Sequence, residues 1–84
     1  MPHANHVERY PGTLAELATE LGDLRYDALV IFLTELAAKL EADSLKDAAR
    51  GRQKLAAKLL AASGEVSDAA EHIAKAWSIC APHM

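Results

Sequence analysis

An apolar stripe runs without interruption through the last third of this 84-residue chain. Its members are spaced alternately four and three residues apart: Leu55, Leu59, Ala62, Val66, Ala69, Ile73, Ala76 and Cys80. That spacing is typical of one face of an α-helix, and a break at Ser63-Gly64 would normally shift the phase. The pattern therefore predicts one helix from about residue 53 to residue 80, which Pro82 ends.

Two further stripes predict a second long helix that ends near residue 49. One contains Leu29, Leu33, Leu36 and Leu40, and the other contains Leu24, Ala28, Ile31, Ala38, Ala42, Leu45 and Ala49. Arg50 and Gly51 follow and suit a helix end, because a cation faces the negative end of the helix dipole and glycine readily adopts a positive φ. Two long helices of similar length joined by a short turn predict an antiparallel hairpin.

The residues before the hairpin predict an arm and a short helix. Residues 1–12 have no periodicity and end in a Tyr-Pro-Gly turn signal. Thr13 and Glu16 have the spacing of a capping box, so a helix of roughly nine residues follows. A glycine ends this helix, and Asp23 is positioned to cap the next one. We therefore divide the chain into an arm, residues 1–12, and a single helical domain, residues 13–84.

A second arrangement fits the same sequence. Ser44 and Ser67 resemble helix starts, and Gly64 disfavours helix, so each long helix could be broken into two shorter ones. The fold class is all-α in both cases. It is either a long antiparallel hairpin preceded by a short helix, or a monomeric up-down four-helix bundle.

The last helix has more apolar surface than one partner helix covers. A second row lies beside its main stripe and includes Ala56, Leu60, Ala70, Ala74, Trp77 and Ala81. In the hairpin arrangement the short first helix covers only part of this surface. We therefore expect two copies of the chain to associate into a four-helix bundle. The expected interface residues are Leu24, Ala28, Ile31, Leu60 and Trp77.

A basic cluster interrupts an otherwise acidic chain. The formal net charge is −3, which argues against a general nucleic-acid binder. However, Arg50, Arg52 and Lys54 gather at the predicted turn, and no Ser, Thr, Asp or Asn caps the helix that starts there. Exposed backbone amides at a helix start attract anions. These three residues are thus a candidate site for an internal carboxylate, such as Asp43 or Asp47, or for an external phosphate.

The sequence lacks residue combinations that are typical of catalysis. It has no Gly-rich phosphate loop and no Ser, His and Asp set in a distinctive context, so we expect neither an enzyme nor a cofactor. Two pairs of residues have the spacing of two ligands of a metal site: Cys80 with His83, and His3 with His6. Because Cys80 falls on the apolar stripe, where cysteine usually packs as a small apolar residue, we expect no metal. The single cysteine excludes an intramolecular disulfide, and no apolar run reaches the length of a membrane span. We therefore expect a cytoplasmic protein that does not enter membranes.

These patterns together predict a non-catalytic helical module for protein–protein interaction that works as a homodimer. The alternative is a regulatory module that binds an anionic partner through the basic turn at residues 50–54. That partner would be either a nucleic-acid backbone or a phosphorylated group.

Overall fold

The computed structural model describes residues 3–84, which form three α-helices and a short 3₁₀ helix and contain no strand. The helices are α1 (Leu14–Gly22), α2 (Tyr26–Ala49) and α3 (Gln53–Cys80), and the 3₁₀ helix covers Ala81–His83. The prediction of an all-α fold is confirmed. Ser44 and Gly64 lie inside continuous helices, so the alternative of four shorter helices is wrong.

The N-terminal segment begins its first helix at the predicted capping box. Residues 3–13 contain no helix or strand, and Met1 and Pro2 of the predicted arm lie outside the described residues. The Glu16 amide donates to Thr13 Oγ1 at 3.1 Å, and the Thr13 amide donates to Glu16 Oε1 at 2.9 Å. Hydrogen bonds from the Thr13 backbone and then from its side chain lower the pKa of Glu16 below its ordinary value.

The start of α2 differs from the prediction, because Asp23 does not cap it. Asp23 ends α1 with a helical φ of −85° and ψ of −4°, whereas a residue that caps a helix start needs an extended backbone. Arg25 occupies the position before α2 and binds Asp27 through two bonds, Nε to Oδ1 at 2.6 Å and Nη2 to Oδ2 at 2.8 Å. Asp27 also accepts the Ala28 amide at 2.9 Å. A carboxylate in the first turn thus satisfies the positive end of α2.

The link between α2 and α3 is the predicted glycine turn. Gly51 has a φ of 79°. Its amide donates to the Ala48 carbonyl at 3.0 Å, and the Arg52 amide donates to the Asp47 carbonyl at 2.9 Å. These two bonds form a Schellman motif, which satisfies the last carbonyls of α2. The Gln53 side chain adds a third bond, from Nε2 to the Ala48 carbonyl at 3.1 Å.

Small residues fill the contact between α2 and α3. The buried residues are Ala37, Ser44, Ala56, Ser63 and Ala70. They recur every seven residues on each helix, so the two backbones approach along one line. Ser44 Oγ donates to the Ala56 carbonyl at 2.8 Å, and Ser63 Oγ donates to the Ala37 carbonyl at 2.7 Å. These two hydrogen bonds join the helices and fix the antiparallel register of the hairpin.

The fold is elongated and buries few side chains. Its Cα atoms extend over 50 × 29 × 14 Å. Helix α1 buries none of its residues, and within residues 3–84 no side chain larger than serine is buried. The large apolar side chains therefore lie on the two broad faces and along the edges of the hairpin.

Candidate functional site

The main apolar stripe of α3 flanks the contact between the helices instead of forming it. Leu55 and Ala62 precede the buried Ala56 and Ser63 by one residue, which turns them about 100° around the helix. Leu55 is consequently 46% exposed. On α2, Leu36 precedes the buried Ala37 in the same way and is 37% exposed.

The two leucine rows lie on the same broad side of the hairpin. Leu55 and Leu59 line a cleft together with Asp43 and Asp47, and these two carboxylates continue the leucine row of α2 at helical spacing. We call this surface the leucine face. It consists of Leu29, Leu33, Leu36 and Leu40 of α2 and Leu55, Leu59, Ala62, Val66, Ala69, Ile73, Ala76 and Cys80 of α3.

The opposite broad face mixes polar and apolar side chains. A cleft of about 500 Å³ on that side is lined by Thr34, Glu41 and Ser67 and also by Ala38 and Leu60. The Thr34 hydroxyl donates to the Val30 carbonyl of its own helix at 2.8 Å. The leucine face differs in that each of the two helices contributes a continuous apolar row to it.

The structure does not bring the five predicted interface residues onto one surface. Ile31 is 65% exposed on the outer edge of α2, about 120° around the helix from Ala37. Leu60 lies on the broad face opposite the leucine face. Leu24 borders a cleft at the open end of the hairpin, and Ala28 is half-buried in the first turn of α2.

The fifth residue, Trp77, joins the two helices at the open end of the hairpin. The Arg25 guanidinium lies 5.5 Å from the centroid of the Trp77 ring, a distance at which a cation–π contact forms. The hydrogen bond from Arg25 also lowers the pKa of Asp27. Arg25 thus connects the start of α2 to the end of α3, so Trp77 helps to close the hairpin.

A cleft of about 310 Å³ lies beside the turn. Its lining residues are His3, Lys39, Asp43, Lys46, Asp47, Arg50, Arg52, Leu55 and Leu59. The structure therefore brings Arg50 and Arg52 of the predicted anion site together, whereas Lys54 does not line the cleft. Lys39 and Lys46 also line the cleft, from α2. The sequence did not predict this, because both residues are distant from the turn along the chain.

Internal carboxylates neutralise part of this basic cleft. Arg52 Nη1 lies 3.1 Å from Asp47 Oδ1, which is one of the two carboxylates expected within reach. Lys39 Nζ donates to both carboxylate oxygens of Asp43, at 2.7 and 2.6 Å, and this hydrogen bonding is the main cause that lowers the pKa of Asp43. Within the described chain, neither Arg50 nor Lys46 forms an ion pair.

The two potential half-sites for a metal lie at opposite ends of the hairpin. His3 lines the cleft beside the turn, and Cys80 lines a cleft of about 520 Å³ at the open end. Among residues 3–84, no group of three His, Cys, Asp or Glu side chains could hold a metal ion. The same part of the chain contains no helix with the length and apolar character needed to cross a membrane.

No protein-family model matches the chain, and neither a curated protein nor a solved structure is significantly similar to it. Among the described surfaces, the leucine face combines an apolar row from α2 with one from α3.

Proposed function

We propose that the protein is a non-catalytic interaction module that works as a homodimer, in which two hairpins pack their leucine faces together. The support is the amount of surface that the single chain exposes. Its accessible surface is 6678 Å², whereas a folded monomer with this mass of 9.0 kDa has about 4,900 Å². Each chain therefore exposes about 1,800 Å² more than a stable monomer of its size.

This excess corresponds to the area that a permanent dimer covers. A standard interface buries about 800 Å² on each partner, and obligate homodimers bury about 2,000–5,000 Å² in total. Two chains that each cover about 1,800 Å² would bury about 3,600 Å², which falls in the obligate range. If the extended arm accounts for half of the excess, the remainder still reaches the standard size.

The leucine face is the surface that fits this role. Both α2 and α3 contribute a leucine-rich row, so face-to-face packing of two hairpins places four helices around one apolar interior. The small residues between α2 and α3 hold each hairpin flat, which leaves the larger side chains available for the second copy. The dimer thereby supplies the core that the single chain lacks.

A pair of matched substitutions tests the choice of surface. Leu36→Glu introduces a carboxylate on the leucine face, and we expect a monomer because a buried unpaired charge is strongly unfavourable. Ile31→Glu introduces the same charge on the outer edge of α2 and should leave the dimer intact. Light scattering after size-exclusion chromatography measures both masses, and circular dichroism checks that helix is retained. Dissociation by Ile31→Glu alone would move the interface to the edge predicted from the sequence.

The rest of the surface is open to other interactions. The outer edge of α2 exposes Ile31, and Leu45 is 67% exposed on the broad face opposite the leucine face, so a different protein partner has apolar side chains to bind outside the proposed dimer. We place the module in the cytoplasm, because a thin fold with a single cysteine has none of the disulfides that stabilise small secreted domains.

A second candidate function is the binding of a phosphorylated group at the basic turn. The observation that favours it is the cleft beside Arg50 and Arg52, in which Arg50 and Lys46 have no carboxylate partner within residues 3–84. Titration with inorganic phosphate at low salt should shift the NMR signals of the Arg50 and Arg52 amides. The double variant Arg50→Gln, Arg52→Gln should abolish these shifts, whereas Lys54→Gln, outside the cleft, should retain them. Equal loss in both variants would indicate non-specific attraction.

A further inference from the structure

The hydrogen bond between Ser63 and Ala37 divides the hairpin into two halves of opposite charge. The half that contains the turn, residues 38–62, has six Lys or Arg and three Asp or Glu side chains, a formal charge of +3. The open half, residues 26–37 and 63–80, has one Lys and five Asp or Glu side chains, a formal charge of −4. Charge is therefore separated along the length of the hairpin.

Two hairpins can pack their leucine faces around a two-fold axis in two ways. An axis along the hairpin places the two turns side by side, so that each half lies on the half of the same charge. An axis across the hairpin places the turn half of one copy on the open half of the other. Opposite charges across an interface attract and fix its register, whereas like charges opposed there cost several kcal/mol in unfavourable cases.

We infer that the dimer is antiparallel end to end, with the basic turn half of each copy packed on the acidic open half of the other. This inference rests on the proposed homodimer and adds the orientation of its second copy. The leucine rows leave both orientations open, because they extend along both halves of the hairpin. The charged side chains on the outer edges of the two helices carry this separation to the rim of the interface. By helical spacing they are Glu35, Glu65 and Asp68 in the open half and Lys39, Lys46, Lys54 and Lys58 in the turn half. Their separation favours the antiparallel orientation.

Distances between spin labels test this orientation. Ile79 and Lys54 are both exposed on α3 and lie 25 residues apart, or about 38 Å along the helix. Each is replaced by cysteine in a Cys80→Ala background, so that every chain carries a single label. Neither residue belongs to the leucine face, so the labels leave the proposed interface unchanged.

Double electron–electron resonance should give a long distance between copies in the first sample and an added short distance in the second. For labelled Ile79→Cys alone, the antiparallel dimer predicts a distance between copies of at least about 35 Å, close to one hairpin length. A mixture of labelled Ile79→Cys and Lys54→Cys chains should add a distance of about 20 Å or less, since the open end of one copy then lies over the turn half of the other.

Two other outcomes would contradict the antiparallel orientation, and the measured distances distinguish them. A short distance for Ile79→Cys, with a long distance of about 38 Å added in the mixture, shows a dimer with its turns side by side. The homodimer then stands, and only its orientation is wrong. The absence of any distance between copies at concentrations where the chain is folded contradicts both the orientation and the proposed function.

Discussion

At the scale of single residues, Gly51 and Gly64 have different structural roles although both lie in the hairpin. Gly51 has a φ of 79°, a conformation that strains any other residue, even though a Cβ there would meet no heavy atom within 4 Å. Gly64 lies inside α3, and a Cβ there would also meet nothing within 4 Å. The same substitution should therefore change stability in opposite directions at the two positions.

Gly51→Ala should destabilise the fold by about 1 kcal/mol because of the left-handed backbone. Gly64→Ala should stabilise it by about 0.5–1 kcal/mol, because alanine forms helix better than glycine. The urea midpoint at one fixed protein concentration measures both effects, provided that the slope of the transition is unchanged. If both variants shift the midpoint in the same direction, the assigned turn or the continuity of α3 is wrong.

At the scale of the helices, the apolar periodicity predicted the bounds of α3 because its eight positions never change phase. It did not reveal which row contacts α2. The row of Ala56, Ser63 and Ala70 is less hydrophobic than the leucine row, and the sequence pattern assigned Ala56 and Ala70 to the surface that a second copy would cover. Small residues nevertheless form the contact, because only they let two backbones approach closely enough for a serine hydroxyl to reach the opposite carbonyl.

The partners of the buried serines and the full lining of the basic cleft could not be predicted from the sequence, because both depend on how the two helices pack. Ser44 and Ser63 resembled helix starts or breaks because serine competes locally for backbone hydrogen bonds. Their actual acceptors, the carbonyls of Ala56 and Ala37, depend on the hairpin register. Arg50 and Arg52 could be placed at the turn because a glycine marks it. Lys39 could not, since it reaches the cleft only through the path of α2.

The serine contact leads to a prediction that differs from that for an ordinary apolar core. Ser63→Ala should cost about 1 kcal/mol, because it removes the hydrogen bond to the Ala37 carbonyl. Ser63→Leu should cost more in spite of its greater hydrophobicity, since a large side chain forces α2 and α3 apart. Urea unfolding of the three proteins at equal concentration checks this order. A leucine variant more stable than the alanine variant would show that the helices do not pack closely there.

At the scale of the whole molecule, the small buried interior of the single chain limits its stability. The single chain fully buries only alanine and serine, and Leu36 and Leu55 remain 37% and 46% exposed, so part of the hydrophobic contribution of the leucine face is unrealised in the single chain. A second hairpin would bury the leucine face on both copies. The open faces, the excess surface and the separation of charge along the hairpin have a common explanation if the folded unit is a pair of hairpins.

The mass of the folded protein in solution tests this account most directly. Sedimentation equilibrium at micromolar concentration should give twice the chain mass of 9.0 kDa, and the urea midpoint should rise with protein concentration because dissociation and unfolding are coupled. Leu36→Glu should lower the mass to that of one chain. A wild-type protein that sediments as a 9.0 kDa monomer, while it is fully helical and unfolds at a concentration-independent midpoint, would contradict the account.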